Sequence, residues 1–391
     1  MSHSQPLAGF IVVEIGHSVA APYTGFILAS LGAEVIKVEN PDGGDTARGW
    51  GPPFHAGSAP HFTAFNRDKQ SVAVDLRDQT QCDALRNLIL DKADAVICNM
   101  RAGAAEKLGL GPIGLREAAP SLVYCEIGAF GHAGPMASKP GYDPLMQAYG
   151  GMMSITGESV ERPPIRVGVS IIDMGSGMWG ALGIMGALIE RRRTGVGCVV
   201  RTSLFETALA WTATPICRQQ MSGKPQLPQG SGAAGISPYQ AFRTKDGWLV
   251  IGAGNDSLFA KLACVMQRPD LASDKRFRAN SGRVTHKDQL LPVIEAFAVT
   301  LTSIELGALL DEAGIPNAPV QTIEQVVTDP QTLALEILQQ GPEGAFPTVG
   351  LPLTYDGERP PYRTAAPALG QHTQDWLPEV TSVETRMQQS T

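Results

Sequence analysis

The chain has 391 residues and a formal net charge of −7 at pH 7, a length typical of about two or three domains. Hydrophobic residues make up 43% and charged residues 18%, which indicates a globular protein and excludes a disordered one. The excess of negative charge argues against nucleic acid as a partner, because a phosphate backbone would repel the chain.

The cysteines and the apolar stretches of the sequence indicate the cellular compartment of the protein. The 6 cysteines are widely spaced, with no Cys-x-x-Cys pair, which favours a reduced compartment, and we expect the cytoplasm. The N-terminus MSHSQPLAGFIVVEIG lacks the features of a secretory signal. The longest uncharged stretch, residues 174–189, contains 5 glycines and is shorter than the roughly 18–20 residues that span a membrane. We therefore predict no membrane association, and the absence of a His-Glu-x-x-His motif predicts no metal site.

Apolar runs rich in Val and Ile alternate with helical patterns through the first half of the chain. The patterns predict helices at residues 22–31 and 79–92 and strands at residues 10–15, 34–38, 71–76, 94–98 and 122–127. This alternation indicates a parallel sheet covered on both faces, the doubly wound α/β class, whose ligands bind beyond the carboxyl ends of the strands. The segment EIGHSVAAPYTG after the first strand lacks the Gly-x-Gly-x-x-Gly fingerprint, which disfavours a nicotinamide or flavin cofactor.

The second half of the chain indicates a smaller α+β domain between two linkers. The segment MSGKPQLPQGSGAAGIS is rich in Gly, Pro and Ser, as linkers are. Two apolar runs around a Lys-Asp-Gly turn predict a hairpin, and helical patterns follow at residues 257–266, 286–298 and 303–313. We predict the N-terminal part of a large domain at residues 1–221, a linker at 222–237, the small domain at 238–321, and a linker with a C-terminal return to the large domain at 322–391.

The uncharged stretch is predicted to be a central helix. Asp173 is placed as its N-cap, three arginines at residues 191–193 occupy its last turn, and Gly195 ends it. A bare stripe for the close approach of another backbone is predicted at Gly177, Gly180, Gly183 and Gly186. From the residues alone Asp173 has two interpretations, a capping residue or an exposed carboxylate that the helix dipole keeps ionised and available as a nucleophile.

Segments along the whole chain form one pattern: APYTGFILASLGAEVIKVENPDGGDTARGWGPP, FNRDKQSVAVDL, AFGHAGP, GYDPLMQAYGGMMSITG, RVGVSIIDMGSGMWG, GVGCVVRTSLFETAL and LGQHT. In this pattern the chain resembles the class III CoA-transferases, of the formyl-CoA transferase type, over nearly its full length. The resemblance implies a Rossmann-like large domain made from both ends of the chain, a small domain, and a homodimer of two interlocked subunits. It also implies that CoA and acyl-CoA are substrates and that no cofactor is bound permanently.

The resemblance assigns the chemistry to Asp173, which opens an Asp-x-x-x-Gly element. Its carboxylate would attack an acyl-CoA thioester to form a mixed anhydride, and the released CoA thiolate would then form an aspartyl-CoA thioester. The CoA site is implied at Val74, Asn99, Met100 and Lys107. Asn40 departs from the arginine that many relatives carry for the CoA phosphate, and the cations expected to compensate are Lys37, Arg67 and Lys69.

Three further segments bear on the branch of the family. The α-methylacyl-CoA racemases use the histidine of a Gly-His-Asp element, where this chain has Tyr142, and a tyrosine, whose pKa is ordinarily about 10, cannot replace that histidine at neutral pH. His17 and His132 stay open as bases or ordinary loop residues. The run IGAGNDSLF replaces the glycine-rich loop of formyl-CoA transferase itself, which argues against oxalate as the substrate.

The run SPYQAFRTKDGWLVIGAGND resembles enzymes that transfer CoA from succinyl-CoA to dicarboxylates. We therefore expect a dicarboxylate acceptor, with a substrate site drawn from His17, Arg48, Tyr142, Arg166 and Arg283. A bidentate arginine contact would hold the second carboxylate, although each arginine is also a candidate for an ordinary surface residue. The alternatives are an acyl-CoA racemase and a non-catalytic CoA-binding relative.

Overall fold

The structure is a computed structural model that describes residues 4–380. The chain folds into two units, and each is described separately. The larger unit consists of Val167–Cys217 with the described parts of Met1–Met152 and Pro330–Thr391, and the smaller unit consists of Met153–Arg166 and Arg218–Asp329. Residues 153–166 thus cluster with the smaller unit, whereas the sequence analysis assigned them to the large domain.

A parallel sheet forms the centre of the larger unit. Its strands are β1 (Ile11–Ile15), β2 (Glu34–Glu39), β3 (Lys69–Ala73), β4 (Ala95–Cys98), β5 (Val123–Gly128) and β6 (Val199–Ser203). They lie in the order β3-β2-β1-β4-β5-β6, and every neighbouring pair is parallel. The predicted α/β class is therefore confirmed, although β6 was not predicted and β3 begins before its predicted start.

The larger unit also contains helices and one short antiparallel strand pair, which come from all three of its chain segments. They are a 3₁₀ helix (Thr46–Gly49), α1 (Ala20–Ser30), α2 (Pro60–Asn66), α3 (Gln79–Lys92), α4 (Ala104–Lys107), α5 (Pro112–Ala118), α6 (Asp143–Tyr149), α8 (Ile171–Thr194), α9 (Leu204–Trp211), α17 (Pro330–Ala334), α18 (Thr373–Trp376), and the antiparallel pair β10 (Leu338–Gln339) and β11 (Thr348–Val349). Two helices continue across the division between the units, α7 (Met152–Ile155) and α10 (Ala213–Ser222).

Helices cover both faces of the parallel sheet because successive strand residues point to opposite sides. In β1, Val12 packs in a buried cluster with residues of α1 and α8, whereas Val13 packs in a second cluster with residues of α3 and α5. Both valines are essentially inaccessible to solvent. The nearly continuous apolar strands of the sequence are thus explained by burial on two sides.

α8 is the central helix that the sequence predicted. By length and composition it would suffice to cross a membrane, as would the helices Lys287–Ala298 and Ser303–Glu312 taken as one bent span, but half of the most apolar part of α8 is buried. Buried helices of protein cores pass the same test. An added Cβ would lie 2.7 Å from the Ala20 carbonyl oxygen at Gly177 and 2.4 Å from Val200 at Gly183, while at Gly186 it would meet nothing within 4 Å. The glycine stripe therefore allows close packing against α1 and the sheet, but its extension to Gly186 is wrong.

The smaller unit is an α+β structure with its own core. Its antiparallel strands are β7 (Tyr239–Arg243), β8 (Trp248–Gly252) and β9 (Asn317–Pro319), and its helices are α11 (Asp256–Val265), α12 (Asp270–Ser273), α13 (Asn280–Thr285), α14 (Lys287–Ala298), α15 (Ser303–Glu312) and α16 (Ile323–Thr328). The predicted hairpin is confirmed as β7 and β8. One buried cluster joins Phe242 and Leu249 of this hairpin to Phe259, Leu290 and Leu306 of the helices.

Candidate active site

The carboxyl ends of β1 and β4 meet where the strand order of the sheet reverses, which is where ligands bind in such sheets. The loop of residues 16–18, here called the β1 loop, follows β1, and Asn99 follows β4. The Asn99 side chain joins the two, because its Oδ1 accepts the His17 N–H at 3.2 Å and its Nδ2 donates to the His17 carbonyl at 3.0 Å. Two of the predicted site residues therefore meet at this switch point.

α8 carries Asp173 in its first turn. The N-cap residue is Ser170, whose side chain makes no capping hydrogen bond. The capping group comes from α6, where the Asp143 carboxylate accepts the N–H groups of Ile172 at 2.7 Å and of Asp173 at 3.2 Å. The prediction that Asp173 is the N-cap is wrong, because a carboxylate distant in sequence satisfies the free N–H groups of this helix end.

The surroundings of Asp173 make its charge sensitive to pH. Burial and, second, the nearby charge of Asp143 raise the pKa of Asp173 from 3.8 to about 7. Both effects disfavour the ionised carboxylate, contrary to the expectation that the helix dipole keeps it ionised. Within residues 4–380 no group donates a hydrogen bond to the Asp173 side chain. The carboxylate is therefore not committed to a structural contact.

The N-terminal turns of α1 and α8 lie against each other. Thr24 of α1 donates from Oγ1 to the Gly177 carbonyl at 3.0 Å, and Gly177 approaches the Ala20 carbonyl closely. Because α1 follows the β1 loop and Gly177 lies one turn after Asp173, the structure brings Asp173, the β1 loop and the end of β4 into one region of the larger unit.

Other predicted CoA contacts lie along the same edge of the sheet. Val74 follows β3 and is buried, Met100 lies just beyond β4 and is half-buried, and Lys107 is exposed in α4. Asn40 follows β2 and is exposed, with its Oδ1 accepting the Asp42 N–H at 2.9 Å. The roles of these residues in CoA binding stay predictions, and their positions beyond the strand ends are compatible with them.

The cations expected to compensate for Asn40 are not available to a phosphate. The side chains of Lys37 and Lys69 are fully buried, and both pair with Glu14, at 2.9 Å and 2.7 Å. Arg67 is also fully buried and donates to side chains of the C-terminal segment. That expectation is wrong for all three residues, because a buried and already paired cation cannot reach a ligand in solvent without losing its own partners.

Of the three arginines considered for a second carboxylate, two are engaged by the fold. Arg48 is half-buried and makes a bidentate contact with Glu39 at 2.8 Å and 2.7 Å. Arg283 is buried in the smaller unit, where it donates to three main-chain carbonyls and pairs with Asp256 at 2.9 Å. Neither is an ordinary surface arginine, and Arg283 is wrong as a substrate contact. Arg166 is exposed in the smaller unit, and its role stays a prediction.

The sequence analysis missed Asp143 and Gln147. Asp143 is 2% exposed, and its second oxygen accepts Gln147 Nε2 at 2.6 Å, while Gln147 Oε1 accepts the Val167 N–H at 2.9 Å. The sequence signal for Asp143 was the Gly-Tyr-Asp element, but that element was considered only for the role of Tyr142. Tyr142 is the exposed N-cap of α6, and His132 is exposed after β5. Among residues 4–380, no group of three or more His, Cys, Asp and Glu side chains could hold a metal ion.

Comparison with known proteins places the chain among CoA-transferases. Residues 7–373 match the model of CoA-transferase family III. A succinate–glutarate CoA-transferase of Agrobacterium fabrum is 34% identical over 97% of this chain and 96% of its own length. A succinyl-CoA–D-citramalate CoA-transferase of Chloroflexus aurantiacus is 36% identical over 84% of this chain and 82% of its own length.

A solved structure agrees with the fold described above. The crystal structure of a CaiB/BaiF family protein from Brucella suis superimposes with a TM-score of 0.85, and the sequences are 36% identical. The match covers 96% of this chain and 100% of that one. The six-stranded parallel sheet and the small antiparallel sheet are therefore features that this chain shares with that protein.

Proposed function

The chain belongs to CoA-transferase family III, and from that premise we propose that it transfers CoA from succinyl-CoA to a small dicarboxylic acid with Asp173 as the nucleophile. The observation that carries the proposal is the situation of Asp173 in the first turn of α8. Asp143 holds its backbone N–H at 3.2 Å, so its own carboxylate is not needed as a cap and is available to react.

The proposed reaction moves CoA in balanced steps. An Asp173 oxygen attacks the thioester carbon of succinyl-CoA, a C–O bond forms, the C–S bond breaks, and CoA leaves as the thiolate from a mixed anhydride. The thiolate then attacks the Asp173 carbonyl carbon and releases succinate, which leaves an aspartyl-CoA thioester. The acceptor carboxylate attacks the aspartyl-CoA thioester, the C–S bond breaks, and a second mixed anhydride forms while CoA leaves as the thiolate. The thiolate then attacks the acceptor's acyl carbon, the C–O bond to Asp173 breaks, and the acceptor's CoA thioester and the Asp173 carboxylate are released.

These steps exchange carboxylates and thiolates without a net proton transfer, so they require Asp173 in its ionised form. With a pKa of about 7, the ionised fraction rises through neutral pH. A carboxylate that the site does not stabilise is also a stronger nucleophile than a carboxylate held by several hydrogen bonds. Covalent storage keeps the thioester energy from being lost to water.

The dicarboxylate acceptor is supported by the names of the relatives, which specify glutarate and D-citramalate, both dicarboxylates. The racemase alternative is not favoured, since Tyr142 stands in place of the required histidine and is 58% exposed. No cofactor beyond the CoA thioester is needed for the proposed steps.

We also propose a homodimer with interlocked subunits in the cytoplasm. Apolar side chains on the outer face of α8 and the neighbouring α9 are exposed, and a second copy would cover them: Met178, Trp179, Leu182, Ile189 and Trp211. All 6 cysteines are free thiols, which suits a reduced compartment. Light scattering after size-exclusion chromatography should give twice the mass of the chain, and a monomer would overturn the dimer.

The function is tested with purified protein, succinyl-CoA and a panel of carboxylates, with chromatography of the acyl-CoA products. We expect a new acyl-CoA with at least one dicarboxylate, and much less with its monocarboxylate analogue. Asp173→Ala is the matched control and should give none. Hydrolysis of succinyl-CoA without transfer to any carboxylate would overturn the proposal.

A further inference from the structure

A cluster of acidic and basic side chains lies buried beneath α1. Glu14 on β1 pairs with Lys37 on β2 at 2.9 Å and with Lys69 on β3 at 2.7 Å, and Lys37 pairs with Asp45 at 2.8 Å. None of these side chains is more than 1% exposed. α1 approaches the cluster at Gly25, where an added Cβ would lie 2.0 Å from Glu14 Oε2. We call Glu14, Lys37, Asp45 and Lys69 the buried cluster.

Stability alone is a weak reason for such a cluster. The free energy lost when charged groups leave water is about as large as the free energy gained when they pair. Replacing a buried ion pair with apolar residues is therefore often neutral or stabilising. Burial works against the charge of Lys37, but the surrounding carboxylates of Glu14, Asp45 and Glu39 prevail and raise its pKa. Lys37 therefore keeps its charge, whereas burial lowers the pKa of Lys69 to about 8. What the fixed geometry of the cluster holds in place is seen from its hydrogen bonds.

Two hydrogen bonds lead from the buried cluster to the β1 loop. Lys37 Nζ donates to the Gly16 carbonyl at 3.0 Å, and Asp45 Oδ1 accepts the Ser18 N–H at 2.9 Å. Ser18 has a φ of 72°, a conformation that a residue other than glycine keeps only when its surroundings hold it. His17 lies between these two anchored residues, with its ring Nδ1 2.9 Å from Ser18 Oγ.

We propose that Asp45 and Lys37 are positioning residues for CoA binding, which hold the β1 loop in the conformation that presents His17 and Asn99 to the CoA thioester. Both side chains are buried, so they would act on CoA binding through the β1 loop. The inference rests on the proposed function and gives Lys37 a different role from the phosphate contact expected from the sequence. Without Asp45, the Ser18 N–H loses its acceptor and Ser18 relaxes to an ordinary φ, so that the hydrogen bonds between the His17 main chain and the Asn99 side chain are lost.

The chain offers a matched control for Asp45. Asp68 is likewise buried, accepts two main-chain N–H groups, from Arg363 at 2.7 Å and Thr364 at 2.8 Å, and lies near a buried arginine. It directly precedes β3, so it stands at the opposite end of the parallel sheet from the β1 loop. Both aspartates are thus buried acceptors of main-chain hydrogen bonds, but only Asp45 is connected to the proposed CoA site.

The experiment is calorimetric titration of CoA into the full-length wild type, Asp45→Ala and Asp68→Ala, with thermal unfolding of each. We expect Asp45→Ala to bind CoA about tenfold or more weakly, whereas Asp68→Ala binds within about threefold of the wild type at a similar loss of Tm. Equal CoA affinities of the two variants would overturn the inference. If the wild type itself does not bind CoA, the proposed function fails and the inference falls with it.

A second substitution separates positioning from general damage. Glycine adopts a φ of 72° without strain, so Ser18→Gly in the Asp45→Ala background should recover about threefold or more of the lost CoA affinity. No recovery would contradict the role assigned to Ser18. If Asp45→Ala does not fold, Asp45→Asn and Asp68→Asn are compared in its place. Asp45→Asn, whose amide faces Lys37, should lose at least about threefold in affinity, and an affinity equal to that of Asp68→Asn would overturn the inference.

Discussion

Replacing Asp173 with asparagine should stabilise the folded protein above neutral pH while it abolishes CoA transfer. In the wild type, burial and the Asp143 carboxylate raise the pKa of Asp173 from 3.8 to about 7, so the folded protein opposes the charge that the proposed chemistry needs. Asparagine has nearly the same shape as the protonated side chain and carries no charge. The substitution therefore removes the cost of ionisation together with the nucleophile.

The size and the sign of the effect follow from linkage. A rise in pKa from 3.8 to about 7 corresponds to at most about 4 kcal/mol, at about 1.4 kcal/mol per pH unit, and solvent contact of the half-buried side chain lowers this to about 1–3 kcal/mol. Because the folded-state pKa is raised, the wild type is most stable below the unfolded-state pKa. It loses stability as the pH rises towards about 7, where the loss is complete.

The assay is thermal unfolding of the wild type and Asp173→Asn at about pH 5.5 and about pH 8. The variant's advantage should widen by about 1–2 kcal/mol between these conditions, or about 2–6 °C in Tm. The control is Glu324→Gln, a change at an exposed acidic residue in the first turn of α16, whose Tm difference from the wild type should stay nearly constant. The reasoning is refuted if the Tm difference between Asp173→Asn and the wild type is equal at both pH values, or if it is smaller at the higher pH.

Three further outcomes are expected. Gly183→Ala should destabilise the fold by about 1–3 kcal/mol, because its Cβ would lie 2.4 Å from Val200, whereas Gly186→Ala, with nothing within 4 Å, should stabilise it by about 0.5–1 kcal/mol; equal Tm values would contradict the packing of α8. If Arg166 clamps the second carboxylate, Arg166→Ala should lose a preference of about tenfold to a hundredfold for glutarate over pentanoate as the acceptor in kcat/KM; the exposed Arg162→Ala should keep that preference, and loss in both variants would show a nonspecific effect. When the protein is incubated with a 2-methylacyl-CoA in deuterated water, mass spectrometry should show no deuterium exchange at the α-carbon. Exchange as fast as CoA transfer would instead support the racemase alternative.

Local patterns were sufficient for β1 to β5 of the larger sheet and for the hairpin of the smaller unit, because burial on two faces favours apolar runs in the strands, whereas β6 was not predicted. They failed at the start of α8. Asp173 stood where a cap belongs, but Asp143 in α6 supplies the capping carboxylate at 2.7 Å from the Ile172 nitrogen. That contact joins residues about thirty positions apart, and the Gly-Tyr-Asp element that contains Asp143 lies far from Asp173 in the sequence, so no argument from the neighbours of Asp173 could have identified it.

The buried cluster shows a signal that was present but assigned to the wrong cause. Lys37 stands in the middle of the apolar run EVIKVE, and Glu14 stands in IVVEI. Lys37 was judged singly, as a cation for a phosphate, and Glu14 was not considered. Parallel register places Glu14 directly opposite Lys37, and opposite charges inside two neighbouring buried strands indicate a pair rather than two ligand contacts. The distinction depends on strand order, which the sequence alone did not supply.

The central claim is that Asp173 carries the CoA during transfer. The most direct measurement is mass spectrometry of acid-quenched, pepsin-digested protein after brief incubation with succinyl-CoA, with the acceptor left out so that the intermediate accumulates. We expect a CoA thioester on the peptide that contains Asp173 in the wild type and no such adduct in Asp173→Ala, which should also be inactive. An adduct on another peptide, or CoA transfer by Asp173→Ala at a rate close to that of the wild type, would contradict the claim.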